Sequence, residues 1–381
     1  MPIYLDHNAT TPLDGRIAAA MEPYLKGVYG NPSSVHKFGR LTRAAIDQAR
    51  EQVAALVKAQ SSQVIFTSGG TEANNLALKG AAAKLPRGRV SVSAVEHASL
   101  LEPAGALAEQ GWQLNLIPVD DQGRVAPCSV RDHLRVGTRL VSVMMVNNET
   151  GVIQDVAAIA DVVREAGGLV HTDAVQAAGK LAIDFAASGV HMMSLSAHKI
   201  YGPQGVGALI VDKTLELAPL LHGGGQERGL RGGTENVAGI VGFGMAAELA
   251  ATELEQRCVH MRELRDHLEA FLKRLPGVVI FAEQADRVPN TVQIGVPGID
   301  GETLLMTLDR RGIAVSSGSA CASGKSEPSH VLMAMGVERD LARSAIRISL
   351  GKDTTEQDID RFCEALAGVM RGLQGVAAGI I

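Results

Sequence analysis

The sequence has little with which to grip nucleic acid or to cross a membrane. Its 36 basic residues are outnumbered by 41 acidic ones, a formal net charge of −5, so there is no basic footprint for a phosphate backbone. Aromatic residues make up only 3% of the chain, too few for a row of stacking platforms. Four cysteines, Cys128, Cys258, Cys321 and Cys363, lie too far apart for CxxC metal ligation or a disulfide framework, which points to a reducing compartment. The most apolar long stretch, Val237 to Ala251, is too short to span a bilayer and reads as a buried helix. The opening MPIYLDHNATTPLDGR has no basic segment followed by an apolar one, so no signal peptide is expected. Repeats and low-complexity runs are likewise missing.

What is present describes a folded α/β protein. Hydrophobic residues are 46% and charged residues 20% of 381 positions, which excludes a disordered chain and suggests two to three domains. The 42 glycines follow no Gly-X-Y period, so they point to tight turns and close backbone approaches to a ligand. Apolar spacing predicts a helix over Leu41–Lys58 and short strands at Val64–Thr67, Val90–Val95, Val141–Val146, Leu169–Thr172, Met192–Ser196 and Val206–Val211. Helices between most of these strands imply a mostly parallel sheet covered on both faces. Near residue 255 the pattern changes to a long charged helix (Glu255–Leu275), strands at Asn290–Gly295 and Ala345–Leu350, and a helix over Gly301–Arg311. A last helix opens at Thr354-Thr355-Glu356-Gln357, which fits a capping box. This second part reads as a smaller α+β domain.

Ligands of open α/β sheets sit beyond the carboxyl ends of the strands, and here those ends carry the polar residues. Ser68-Gly69-Gly70-Thr71-Glu72 turns into a helix and offers N–H groups to an anion. The following strands end in Glu96-His97, Asn147-Asn148-Glu149, Asp173 with Gln176, and His198-Lys199. Each has an ordinary alternative: a structural histidine, a helix cap at Asp173, a solvated turn lysine. Lys199, however, directly follows the apolar strand MMSLSA. Partial desolvation there favours a neutral amine able to form a Schiff base. An anion-binding turn, an acid for a ring nitrogen and such a lysine together suggest pyridoxal phosphate.

The Gly318–Ser326 segment is no P-loop, since five residues separate its glycines and Pro328 follows; Gly223-Gly224-Gly225 lacks the third glycine of a dinucleotide fingerprint. The segment SSGSACASG places Cys321 among small residues, where a thiol is expected to be exposed, mobile and reactive. Arg347, within Ala345–Leu350, could pair with a core carboxylate or receive a substrate carboxylate.

Along nearly the whole chain, YLDHNATTP, GNPSSVH, FTSGGTEANN, EHAS, VNNETG, HTDAVQAAGK, SLSAHKIYGPQGVG, GGGQERGLRGGTEN, SSGSACASG, EPSHVL and IRISLG resemble the cysteine desulfurases of the NifS/IscS type. These are fold-type I pyridoxal-phosphate enzymes, and SSGSAC matches their first class. The resemblance implies a large cofactor-binding domain over 12–255 and a small domain formed by 1–11 and 256–381 that carries the cysteine loop. It implies Lys199 as the Schiff-base lysine, Asp173 as the partner of the pyridinium nitrogen, His97 stacked on the ring and moving protons, and Gln176 on the phenolic oxygen. Gly70, Thr71, Ser196 and His198 would bind the phosphate, joined by Thr234 from the partner subunit of a homodimer. Asn148, also near the ring, and Arg347 would hold the carboxylate of L-cysteine. Cys321 would accept the sulfur as a persulfide, with His97 as the base that frees its thiolate, and a scaffold for iron–sulfur clusters or another acceptor protein would receive it next. The expected setting is cytoplasmic, without membrane or nucleic-acid binding. A selenocysteine lyase, an aminotransferase with no use for Cys321, or an inactive assembly scaffold are the competing readings.

Overall fold

The computed structural model describes residues 2–134, 137–317 and 327–378. A short strand β1 (Ile3–Tyr4) precedes a seven-stranded sheet formed by β2 (Val64–Thr67), β3 (Arg89–Ser93), β4 (Gln113–Ile117), β5 (Thr138–Ser142), β6 (Leu169–Asp173), β7 (Met192–Ser196) and β8 (Gly207–Val211). Their order is β2-β8-β7-β6-β5-β3-β4. From β7 through β4 all neighbours run parallel, and β8 lies antiparallel to both β2 and β7. Every residue of β2, β7 and β8 is buried, as expected for strands with helices on both faces. The sheet is thus the mostly parallel one that the alternation implies.

Within this sheet two strands depart from the sequence pattern by more than two residues. The expected Val141–Val146 strand is displaced to Thr138–Ser142, because Val143–Val146 stays buried while following the end of β6. There Val143 and Met145 N–H donate to His171 and Asp173 carbonyls at 3.1 and 2.9 Å. β4 was not anticipated; it is the edge strand, with Leu114 and Leu116 exposed, so burial does not mark it.

The helix Lys37–Leu56 begins four residues earlier than expected because His36 caps it, its Nδ1 accepting from Gly39 N–H. It packs on the buried helix Val237–Thr252, where a Cβ on Gly244 would lie 2.6 Å from Ala49 Cα. Only glycine permits that approach. From the same helix Arg50 pairs with buried Glu227 at 2.6 Å, and Phe66 N–H donates to that carboxylate at 2.9 Å. This pins the glycine-rich loop after β8; removing one partner of such a buried pair costs about 3–5 kcal/mol.

A second sheet holds β9 (Val279–Ile280), β10 (Thr291–Gly295), β12 (Ser316–Ser317) and β13 (Ala345–Ser349) in the order β12-β13-β10-β9, all antiparallel, while β11 (Ile313–Ala314) pairs with β1. It has its own apolar core, which includes Leu268, Leu304, Ile346, Ile348, Phe362 and Leu366. The helix Leu254–Leu272 leads into it. The last helix, Glu356–Ala378, is capped one residue later than the sequence suggested. Thr355 and Asp358 exchange the box hydrogen bonds, at 3.0 and 3.2 Å, since the shorter aspartate reaches back where Gln357 was expected to. Among the described residues no single helix is long and apolar enough to cross a membrane.

Candidate active site

A cavity of about 580 Å³ opens at the carboxyl ends of β3, β5, β6 and β7. It is lined by Gly70, Thr71, His97, Asn148, Asp173, Gln176, Ser196, His198, Lys199 and Arg347. Ten of the twelve predicted site residues therefore converge. Thr234 is exposed and does not line this cavity. Cys321 lies outside the described residues. The chain on either side of it does border the cavity, through Ser316 and Ser317 before it and Pro328 and His330 after it.

β7 is apolar and buried to its end, and the single turn Ala197–Lys199 then swings Lys199 into the cavity. Its Nζ donates to the Asn8 and Ala9 carbonyls at 2.5 and 2.7 Å. Burial, helped by Arg347 and opposed by Asp173 and Asp6, lowers its pKa to about 8. A neutral amine is thus within reach near physiological pH. Asp173, the last residue of β6, accepts from Asn74 Nδ2 at 2.7 Å and from Val175 N–H at 2.9 Å. Two donors fix its carboxylate toward the cavity floor.

His97 caps the helix Ala98–Glu109. Ser99 N–H donates to its Nδ1 at 3.1 Å, so Nδ1 is an acceptor and the neutral ring carries its proton on Nε2. Burial holds its pKa below the ordinary histidine range, with Lys199 and His330 acting in the same direction and Asp173 against. At neutral pH His97 is consequently a neutral imidazole that offers its Nε2–H as a hydrogen-bond donor.

The turn before the helix Gly70–Asn75 forms one end of the cavity. A second recess of about 390 Å³ shares Gly70, Thr71, Ser196 and His198 with it. A Cβ on Gly69, at φ +156°, would meet nothing, whereas one on Gly207 would lie 2.6 Å from the Gly69 carbonyl carbon. Ser196 Oγ is buried with no partner. An open glycine turn and an orphaned hydroxyl suit a phosphate, which supplies acceptors for both. A phosphorylated cofactor that binds a lysine and an aspartate therefore fits the residues present.

Arg347 enters from β13. It pairs with Asp6 at 2.6 Å and donates to the Asn148 carbonyl at 2.9 Å, and its Nε is buried without a partner. Of the two roles open to it in the sequence, the structure shows the ion pair and leaves one donor for an incoming carboxylate. Asp6, Asn8 and Glu149 were missed as site residues, although all three lie within segments that attracted attention. Asn8 joins both sheets: its side chain bonds the Asn148 carbonyl, Thr291 and Asn290, and its carbonyl accepts from Gln176 and Lys199. Glu149 accepts from Ser329 Oγ and Gln293 Nε2, and burial raises its pKa.

The chain matches the family model described as aminotransferase class-V over residues 3–362. It is 43% identical over 378 residues to a protein named cysteine desulfurase IscS from Dictyoglomus turgidum, covering 98% of this chain and 96% of that one. A cysteine desulfurase from Sinorhizobium fredii is 44% identical over 377 residues, with 98% and 97% covered. Among solved structures, a NifS-like protein matches with a TM-score of 0.92 at 38% identity, covering 97% of this chain and all of its own. A structure described as SspA in complex with cysteine matches with a TM-score of 0.82 at 33% identity, with 93% and 100% covered.

Proposed function

The chain belongs to the aminotransferase class-V family, among its cysteine desulfurases, and on that premise we propose that it converts L-cysteine to L-alanine with pyridoxal 5′-phosphate in the cavity and passes the sulfur to Cys321. The observation that carries this reading is Lys199 and Asp173 facing one cavity that ends at the glycine turn Gly69–Thr71 and the unpartnered Ser196 hydroxyl. Gly70, Thr71, Ser196 and His198 would hold the phosphate, Asp173 the ring nitrogen, Gln176 the phenolic oxygen and Lys199 the aldehyde carbon. When bound, the cofactor supplies an electron sink for the charge left as the substrate α-proton departs.

The chain's own residues do the rest. Arg347, through its free Nε, and Asn148 bind the substrate carboxylate. Lys199, whose lowered pKa makes the neutral amine accessible, would take the α-proton as a base. Lys199, then an ammonium, would return a proton to the substrate skeleton, with neutral His97 hydrogen-bonding there through Nε2–H. The Cys321 thiolate bonds to the substrate sulfur as the Cβ–S bond breaks. The electron pair stays on the carbon, which is protonated and leaves as alanine, and Cys321 is left as a persulfide. No external oxidant or reductant is required.

A homodimer is part of the proposal, with Thr234 of each chain completing the phosphate site of the other. Exposed Leu25, Tyr29, Val35, Phe38 and Leu41, with Tyr29 stacked on Phe38 at 5.8 Å, support a covered apolar face. The persulfide would supply an acceptor protein for iron–sulfur cluster assembly in the cytoplasm, and the division at residue 255 would separate cofactor-holding from sulfur-carrying parts. The test is product analysis of the purified protein with L-cysteine and a thiol reductant. Equal amounts of alanine and sulfide, with a visible absorption band lost in Lys199→Ala, are expected. Amino transfer to a 2-oxo acid without sulfide would overturn the reading.

A further inference from the structure

Behind the cavity lies a lysine to which no role has been given. Lys180 is 7% exposed, and its Nζ donates to Gln176 Oε1 at 2.7 Å and to Asn8 Oδ1 at 3.2 Å. Among the described residues, the charged or ionisable groups that act on it are Lys199, Arg347 and Cys258, and none is a carboxylate. A buried ammonium without an anion is unfavourable. Methionine or leucine would fill such a place at lower cost, so the hydrogen bonds are the feature to explain.

We propose that Lys180 is a positioning residue that fixes the side-chain amide of Gln176, so that an N–H and not the carbonyl faces the cofactor's phenolic oxygen. The inference rests on the function proposed above. A glutamine amide can turn over, exchanging donor and acceptor ends at almost the same shape. Here both ends are read. Lys180 donates to Oε1, and as an ammonium it can do nothing else. The Asn8 carbonyl requires a donor, and takes one N–H of Nε2 at 2.9 Å. The second N–H is left for the cavity that Gln176 lines. Asn8 is itself locked, since Asn290 and Lys180 donate to its Oδ1 while its Nδ2 donates to the Asn148 carbonyl and Thr291. Burial lowers the Lys180 pKa to about 7, which makes its charge marginal near neutrality and leaves its capacity to donate intact. A donor toward the phenolic oxygen stabilises negative charge there and eases loss of the proton that titrates the cofactor's visible band. A carbonyl in its place would do the reverse.

The experiment is a pH titration of the visible absorption band of the cofactor-loaded protein, in wild type, Lys180→Met, Lys180→Arg, Gln176→Ala and the Lys180→Met/Gln176→Ala pair. Lys180→Met is expected to raise the midpoint by about one pH unit. Lys180→Arg, which can only donate, should keep the wild-type midpoint. Lys180→Met should add nothing further once Gln176 is alanine, because its effect passes through that side chain. If Lys180→Met does not fold, Lys180→Gln replaces it, since an amide can donate or accept and releases the fixed orientation. An unchanged midpoint in the Lys180 variant would mean a purely structural lysine. A full shift that persists in the Gln176→Ala background would mean a charge acting through space. Either result overturns the inference, whereas a wild-type protein with no visible band at all would instead overturn the proposed function.

Discussion

The two walls of the cavity are built differently. The seven-stranded sheet presents its reactive groups beyond strand ends, on turns where main-chain and side-chain hydrogen bonds hold each one: Asp173 by Asn74 and Val175, His97 by Ser99, Lys199 by two carbonyls. The four-stranded sheet contributes Arg347 from the middle of a buried strand, AIRIS, opposite Gln293 and Ser316. Its guanidinium pairs with Asp6 and donates to the Asn148 carbonyl, and its Nε is left without a partner. On the proposed function the first wall would hold a resident group through many fixed contacts, and the second would meet a smaller molecule through one cation with a spare donor.

Substitutions on the two walls should therefore fail in different ways. On the first wall Lys199→Ala is expected to reduce alanine formation by on the order of 10⁴-fold, the upper range for losing a proton-transferring group, with KM little affected. Asp173→Ala should lower turnover by roughly 10²–10³-fold and also weaken retention of the cofactor, measured by dialysis followed by absorbance. On the second wall Arg347→Ala should act mainly on KM for L-cysteine, by about 10–100-fold, as loss of one charged hydrogen-bonded contact implies. If Arg347→Ala instead releases the cofactor, the contrast between the walls breaks.

The smallest effect concerns stability. Lys180 and Lys199 have folded-state pKa values of about 7 and about 8 against 10.5 for an unperturbed lysine. Between these values the folded chain has shed protons that the unfolded chain retains, so unfolding takes up protons and cofactor-free stability rises with pH. The window closes near pH 10, where Tyr201, raised by burial from 10.0 to about 12, begins to favour the unfolded state. Lys180→Met should have a shallower rise in urea-midpoint from pH 7 to 9 than wild type. An identical slope would show that Lys180 stays charged in the fold.

The sequence was informative where chemistry follows a strong local pattern. Lys199 stood out because it ends an apolar strand, and Asp173 because it ends another. The buried strands β2, β7 and β8 were read within a residue, since continuous apolar runs leave few registers. The edge strand β4, half exposed, carried no such mark, and the run beyond β5 looked like a strand because burial and pairing diverge there. Asn8 and Lys180 were not legible as site residues: their partners lie up to 341 positions away, and no local spacing encodes such a meeting. The tautomer of His97 was hidden likewise, because it depends on the cap it makes with Ser99.

The central claim is that sulfur leaves the substrate for one thiol of this chain. Mass spectrometry of proteolytic fragments after exposure to L-cysteine without reductant tests it directly. The account predicts one added sulfur on the fragment containing Cys321, none on those containing Cys128, Cys258 or Cys363, and alanine equal to the sulfur bound. Alanine released with Cys321 unmodified, or undiminished sulfide formation by Cys321→Ala, would contradict it.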